Sequence, residues 1–367
     1  MTQQHHRCWV EIDTGAVRHN ADFVRQRLGP EVEVLAVVKA DAYGHGMIEI
    51  AKALADHVDL FGVANVNEAT ALRTALPHPV VILGPALPSE RAVAVEAGFI
   101  PSVSSFEEAR DFDRLARDKT VAINFKLDTG MGRMGVPERE ALEVFKKVSA
   151  LPGIEVHSVS THLPVSNEDE AFTWGQLQRF SNLMRELRNA VPGSYKAHVL
   201  QAAGLLAFAD EKFEIVRPGI ILYGISPFPE FQSALRPVMT WKTRIALIRE
   251  MPAGHGISYG RTFITPAKMR VATLSAGYAD GYPRHLSNRG AAVLVQGQRC
   301  PLLGRVTMDL IMIDVSEVPG VAVGDEVVLM GRQGDQEISC TELAERADTI
   351  TWEITTRIGK RVRRVYF

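Results

Sequence analysis

Between about residue 32 and residue 225 the chain alternates short apolar runs with amphipathic stretches of helical period. The apolar runs are Val32–Val38, Leu60–Ala64, Val80–Leu83, Ile100–Val103, Val121–Leu127, Ile154–His162, Ala197–Gln201 and Ile215–Tyr223. Helical patterns lie between several of them, at Met47–His57, Asn67–Leu76, Glu90–Ala97, Phe106–Arg117, Pro137–Ala150 and Asp169–Ala190. Runs that are apolar at every position are those of strands buried on both faces. Repeated strand-then-helix units predict a parallel sheet, and about eight of them predict a closed (β/α)8 barrel of TIM type. An open, doubly wound sheet is the alternative, but no GxGxxG follows the first strand.

The texture changes after about residue 232. Trp241–Arg249, Met269–Ser275, Ala291–Gln296, Leu310–Val315 and Asp325–Met330 are strand-like and separated by Gly, Pro and Asp, which predicts a mostly β C-terminal domain. Arg7–Ile12 is also strand-like, with no helical pattern read behind it, and is assigned to this second domain. The expected division is therefore a barrel over residues 11–231 and a β-rich domain over 232–367 with residues 1–10. The basic stretch Arg357–Arg364 alternates with apolar residues and reads as a strand with one wet face, not a nucleic-acid arm.

Composition narrows the classes. Hydrophobic residues at 46%, charged residues at 23% and a net charge of −2 describe an ordinary globular chain, with no electrostatic case for nucleic acid or an anionic membrane. Cys8, Cys300 and Cys340 are far apart and form no CxxC pair, so neither a disulfide framework nor a zinc site is supported. Met1–Asp13 carries histidines and charges where a signal peptide has an apolar core, and no apolar run reaches the roughly 18 residues that span a bilayer. A cytoplasmic location is expected.

Candidate chemistry begins at Lys39, which ends the run Val34–Val38 and precedes Ala40-Asp41-Ala42-Tyr43-Gly44-His45-Gly46. A lysine there can simply mark the strand's exit into solvent. It also sits where barrels of this kind place their reactive groups, and a desolvated amine there is nucleophilic enough to form a Schiff base. A second cluster, Lys126-Leu127-Asp128-Thr129-Gly130-Met131-Gly132-Arg133-Met134-Gly135, ends another strand. A third, Val216-Arg217-Pro218-Gly219-Ile220-Ile221-Leu222-Tyr223-Gly224, could offer the Gly219 and Ile220 amides to a phosphate.

Together the three clusters resemble the alanine racemases, pyridoxal-phosphate (PLP) enzymes of fold type III. Ile257-Ser258-Tyr259-Gly260, Gly277-Tyr278-Ala279-Asp280-Gly281-Tyr282-Pro283-Arg284 and Gly304-Arg305-Val306-Thr307-Met308-Asp309 extend the match across the second domain in the same order. The resemblance implies that Lys39 holds PLP and is one of two acid/base groups, with Tyr259 of the partner subunit as the other. It implies that Arg217 faces the pyridine nitrogen, and that Arg133 approaches the phenolic oxygen and the substrate carboxylate. Lys126 matches a lysine that many members carry as a carbamate. His162 would pack by the ring and His198 would bond Arg217. Tyr43, Gly219 and Ile220 would bind phosphate, Met308 and Asp309 would line the substrate side, and Tyr278, Arg284 and Arg305 would surround the entrance. A homodimer sharing its active sites, an amino-acid substrate and a role in supplying D-alanine for peptidoglycan follow from the same resemblance.

Two departures from the family concern the phosphate cup. Gln201 and Ala202 stand where most members have Asn-Ser, and Trp352 replaces a tyrosine. Ser166-Asn167-Glu168-Asp169, Thr307 and Leu310 are less usual choices too. Within the resemblance, a serine or broad-specificity racemase is the alternative function. A non-catalytic PLP-binding barrel would lack the second domain, and a decarboxylase would carry a carboxylate where Arg217 stands.

Overall fold

The computed structural model describes residues 6–211 and 213–367. The segment ahead of residue 6, part of the expected 1–10 contribution to the second domain, lies outside the described residues. The chain forms two compact units. One holds Ala16–Ala42 and Met47–Arg236, and the other holds the segment ending at Gly15, Tyr43–Gly46 and Pro237–Phe367.

The first strand, β1 (Cys8–Ile12), is followed by α1 (Thr14–Leu28), a helix absent from the sequence expectation. Eight parallel strands then alternate with helices: β2 (Glu33–Val37), β3 (Leu60–Val63), β4 (Val80–Pro85), β5 (Ile100–Val103), β6 (Val121–Asp128), β7 (Ile154–Ser160), β8 (Lys196–Gln201) and β9 (Ile215–Arg217). Each pairs with the next in sequence, and β9 closes on β2 through Ile215↔Glu33 and Val216↔Val34. The expected (β/α)8 barrel is the observed fold. Its strands are largely apolar because both faces are covered; Val34, Leu35, Ala36 and Val38 have no exposed surface.

The covering helices are α2 (Met47–Leu54), α3 (Val66–Arg73), α4 (Pro88–Glu96), α5 (Phe106–Ala116), α6 (Ala141–Ser149) and α7 (Glu170–Ala190), with a short α8 (Ala202–Ala207) after β8. Asn65, Ser105 and Asp169 start α3, α5 and α7 by accepting an amide hydrogen from the third residue on, which satisfies a donor the helix leaves orphaned. One expected strand is shorter than read. After Arg217 the backbone turns at Pro218-Gly219, and Ile220–Tyr223 is a buried 3-10 turn.

The second unit is mostly β, as expected. A long strand, β10 (Met239–Met251), pairs with β1, with β11 (Met269–Leu274) and with β15 (Glu326–Gln333). The hairpin β12 (Ala292–Val295) and β13 (Gln298–Pro301) joins β15, while β14 (Ile311–Asp314) pairs with β11 and β16 (Gln336–Ile338) with β15. Two helices, α9 (Cys340–Ala347) and α10 (Thr351–Thr356), precede β17 (Arg363–Tyr366), which pairs with β1. The expected strand over 357–364 is thus only its last residues, because Arg357 caps α10 and the chain turns before Arg363. The expected boundary at residue 11 would cut β1, whose five residues all pair inside the second unit.

Candidate active site

The C-terminal ends of the barrel strands gather most of the residues singled out by sequence. Lys39 follows β2 directly, and the backbone then makes a left-handed turn. Ala40, Asp41, Ala42 and Tyr43 have φ of 53°, 53°, 52° and 54°. For a side chain with a Cβ this costs on the order of 1–2 kcal/mol per residue, so surrounding contacts must enforce it. Asp41 Oδ1 accepts the Met47 amide at 2.8 Å, and the Ala42 amide donates to Val38 O at 2.8 Å. The Glu68 carboxylate takes the Ala40 amide on one oxygen and the Ala64 amide on the other, both at 2.8 Å. The Tyr223 hydroxyl donates to Val37 O at 2.9 Å, just ahead of the lysine. Burial lowers the proton affinity of the Lys39 amine, Arg133 lowers it further, Glu68 opposes them and Arg217 adds to the fall.

Lys126 points into the barrel from β6, 8% exposed, with its Nζ 3.4 Å from Ser160 Oγ. Burial and the neighbouring Arg217 and Arg133 hold it well below an ordinary lysine. Just after it, Asp128 Oδ1 accepts the amides of Gly130, Met131 and Gly132 at 3.0, 2.9 and 3.1 Å. That nest bends the loop and presents Arg133, which is exposed. Gly135 closes it at φ +119°, where an added Cβ would lie 2.5 Å from the Leu127 carbonyl carbon; only glycine fits. His162 follows β7, and burial followed by Arg217, Lys126, Arg133 and Lys39 lowers its pKa to about 2. Lys39, Lys126, Arg133, Arg217 and His162 therefore share one electrostatic environment, rich in cations.

Arg217 is the anchor of the barrel interior. Nη1 donates to His198 Nδ1 at 2.6 Å and His198 O at 2.7 Å, and Nη2 to Thr161 O at 2.7 Å and Val199 O at 2.9 Å. Guanidinium only donates, so His198 Nδ1 accepts and its proton sits on Nε2, which faces Asn124 Oδ1 at 3.0 Å. Asn124 Nδ2 in turn donates to Ser102 Oγ at 2.9 Å, and Ser102 to Ile82 O at 2.7 Å. His198, fully buried beside Arg217, is held neutral, well below its ordinary value. Beyond Arg217, the Gly219 and Ile220 amides open a 3-10 turn and so have no acceptor within it. Ala202 begins α8, whose Gly204 amide is capped by Gln201 Oε1 at 2.7 Å while Gln201 Nε2 holds Ser166 Oγ at 2.7 Å.

The remaining candidates lie in the second unit. Tyr43 is 8% exposed, and burial pushes its hydroxyl pKa up. Tyr259, at 70% exposure, projects from a tight turn in which Ser258, Gly260 and Arg261 all have positive φ. Ser258 Oγ donates to Arg305 O at 2.6 Å, and the Arg305 guanidinium lies against Gly260. Tyr278 and Met308 are exposed on adjoining loops that the Tyr278 and Ala279 amides stitch to Thr307 O and Met308 O, each at 3.0 Å. Arg361 Nη2 bonds both Asp309 Oδ1 at 2.7 Å and buried Asp280, tying those loops to the C-terminal segment. Arg284 is exposed, and Trp352 is half-buried in α10.

Sequence reasoning passed over Glu68, Asn124, Ser102, Tyr223 and Arg361. A signal existed for Glu68, since Asn65-Val66-Asn67-Glu68 is a helix-start pattern with an acid at the third helical position. None existed for the others, whose partners are brought together only by the closed barrel or the β domain.

Comparison with known proteins agrees with this architecture. Residues 12–227 match the family described as the alanine racemase N-terminal domain, and residues 238–366 its C-terminal domain. The alanine racemase of Halothermothrix orenii is 44% identical over 98% of this chain and 96% of its own length. That of Symbiobacterium thermophilum is 40% identical, over 98% and 96%. Among solved structures, the alanine racemase of a D-cycloserine-producing Streptomyces lavendulae superposes with a TM-score of 0.93 at 34% identity, covering 98% and 97% of the two chains. That of Bartonella henselae, with covalently bound pyridoxal phosphate, gives 0.90 at 29% identity, over 99% and 100%. With both domain families matched in order along nearly its full length, the chain belongs to the alanine racemase family of isomerases.

Proposed function

We propose that the protein interconverts L- and D-alanine with PLP held on Lys39. The observation that carries this reading is the lysine itself: a desolvated amine at a barrel strand's end, fixed by a strained turn, near Arg133 and Arg217. The surroundings suit PLP. The cationic cluster calls for anionic groups, and the first amides of the 3-10 turn at Gly219 and Ile220 suit a phosphate, which Tyr43 would also bind. Bound PLP supplies the electron sink that makes the substrate's α-proton acidic.

The chain's own residues do the rest. Arg217 would meet the pyridine nitrogen as a donor that cannot give up its proton, and so would restrain that sink. Such restraint would favour return of the proton over competing reactions. His198, Asn124 and Ser102 keep Arg217 from moving. Arg133 would bind the substrate carboxylate, with Met308 and Asp309 lining that side and His162 and Trp352 near the cofactor. Inversion needs a proton acceptor on one face of the α-carbon and a donor on the other. Lys39 serves one face and Tyr259 of the partner subunit the other. The 70% exposure of Tyr259, with Tyr278 and Met308 exposed as well, supports a homodimer that covers them. Arg284, Arg305 and Tyr278 would surround the entrance. Burial, with Arg217 and Arg133 beside it, favours the neutral amine of Lys126, the form of lysine that reacts with carbon dioxide, and a carbamate there would place a negative charge among the arginines.

D-alanine for peptidoglycan, made in the cytoplasm, is the corresponding role; no helix among the described residues is long and apolar enough to cross a membrane. Purified holoenzyme assayed side by side on L-alanine, L-serine and L-lysine tests the proposal. Racemisation of alanine should be fastest and should vanish in Lys39→Ala. A faster rate on serine overturns the substrate assignment.

A further inference from the structure

We infer that Glu68 is a positioning residue for Lys39, bridging the exits of β2 and β3 and holding the left-handed turn that carries the amine. The inference rests on the reading of Lys39 as the PLP-bearing lysine. The ladder between the two strands ends at Val37↔Gly62, followed by the Val38 amide on Gly62 O at 2.9 Å. Beyond that point no strand pairing joins them. The Glu68 carboxylate supplies one more rung from the side, with one oxygen on the Ala40 amide and the other on the Ala64 amide, both at 2.8 Å. Ala40 is the first left-handed residue after Lys39, so the rung is attached where the strain begins.

A plain helix cap would do less. Glu90 and Glu108 occupy the same third helical position in α4 and α5, and each reaches back to a single amide, Leu87 at 2.8 Å and Ser104 at 2.6 Å. Glu68 does this at Ala64 and, alone among the three, uses its second oxygen on a neighbouring strand's exit turn. The same carboxylate is an acid near Lys39 whose charge opposes the effect of Arg133 and Arg217 on the amine. Glutamine at 68 could accept only one of the two amides and would carry no charge.

The test compares holoenzyme variants Glu68→Gln and Glu68→Asp with Glu108→Gln, a cap of the same kind away from the lysine. Three measurements are made: melting temperature, the rate at which PLP is lost on dialysis followed by cofactor absorbance, and the pH profile of kcat. Glu68→Gln should lose PLP several-fold faster than wild type. Its acid limb, in the direction in which Lys39 takes the proton, should move to lower pH. Glu68→Asp keeps the charge but cannot span both amides, and should lose PLP faster with a smaller shift of the limb. Glu108→Gln should lower the melting temperature alone. If Glu68→Gln behaves as Glu108→Gln does in PLP loss and pH profile, the inference is overturned. Failure of the underlying reading shows separately, in wild type: borohydride reduction followed by peptide mapping would find the cofactor on a residue other than Lys39.

Discussion

At the scale of single residues, burial holds the imidazoles of His162 and His198 neutral beside Arg217. This has a signed consequence for stability. His198 is neutral in the fold, well below its ordinary pKa, whereas in the unfolded chain it titrates near 6.5. Below that pH the unfolded state binds a proton the native state refuses, so stability falls as pH drops from about 6.5, by up to roughly 1.4 kcal/mol per pH unit for each such group. His162, lowered to about 2, adds a second proton to the same slope. Chemical denaturation at pH 7.5 and 5.5 should show this fall in wild type. The fall should be shallower in His198→Gln, whatever that variant's stability at pH 7.5; an equal fall in both would remove His198 as a source. Ala202 offers a gain instead. A hydroxyl there should add about 1 kcal/mol of PLP binding, roughly fivefold in affinity, when Ala202→Ser apoenzyme is titrated with PLP. Unchanged affinity would mean that a water or a neighbouring amide already does the serine's work.

At the scale of elements, the barrel strands were readable because each carries an apolar run that the buried polar residues, such as Asn124, Lys126 and His198, only punctuate, and their order followed from alternation with helices. Helix α1 was not readable, for a physical reason: its buried face includes Asn20, whose side chain bonds Leu222 O and Arg236 O and interrupts the apolar period. The extension of β9 to Tyr223 misread a buried 3-10 turn, which is as apolar as a strand. In the site, the lysine and arginine clusters carried their own motif, but the left-handed turn left no trace, since Ala40, Asp41, Ala42 and Tyr43 contain no glycine. Arg361 shows how elements far apart in sequence serve one loop pair. Replacing it, Arg361→Met, leaves the Asp280 carboxylate with the Gly277 amide at 2.9 Å as its remaining bond to another residue. We expect a loss of about 1–3 kcal/mol in denaturation and a raised KM for alanine, with PLP content unchanged. A wild-type KM would show that the Tyr278 and Met308 loops need no such tie.

At the scale of the whole molecule, the proposal requires two chains. Lys39 and Tyr259 lie in different units of the fold, and the two-base reading draws the tyrosine from the second subunit. Dilution should therefore separate two properties that travel together in the dimer. Sedimentation and activity measured across a concentration series should show racemisation declining with the dimer fraction while PLP stays bound. Activity that persists in monomers would end the shared-site reading.

The cage around Arg217 also bears on how such a barrel can evolve. Three of its four acceptors, His198 O, Thr161 O and Val199 O, are main-chain carbonyls, present whatever side chains those positions carry. A mutation that installs a carboxylate at 217 changes the charge in one step but takes the arginine's donors away from those buried oxygens, of which His198 O keeps the Thr161 amide at 3.3 Å. A lineage drifting toward chemistry that wants an acid there must first pass through a less stable ancestor, unless the backbone moves as well. The backbone around position 217 is thus shaped to take an arginine's donors, whatever part that arginine has in a reaction.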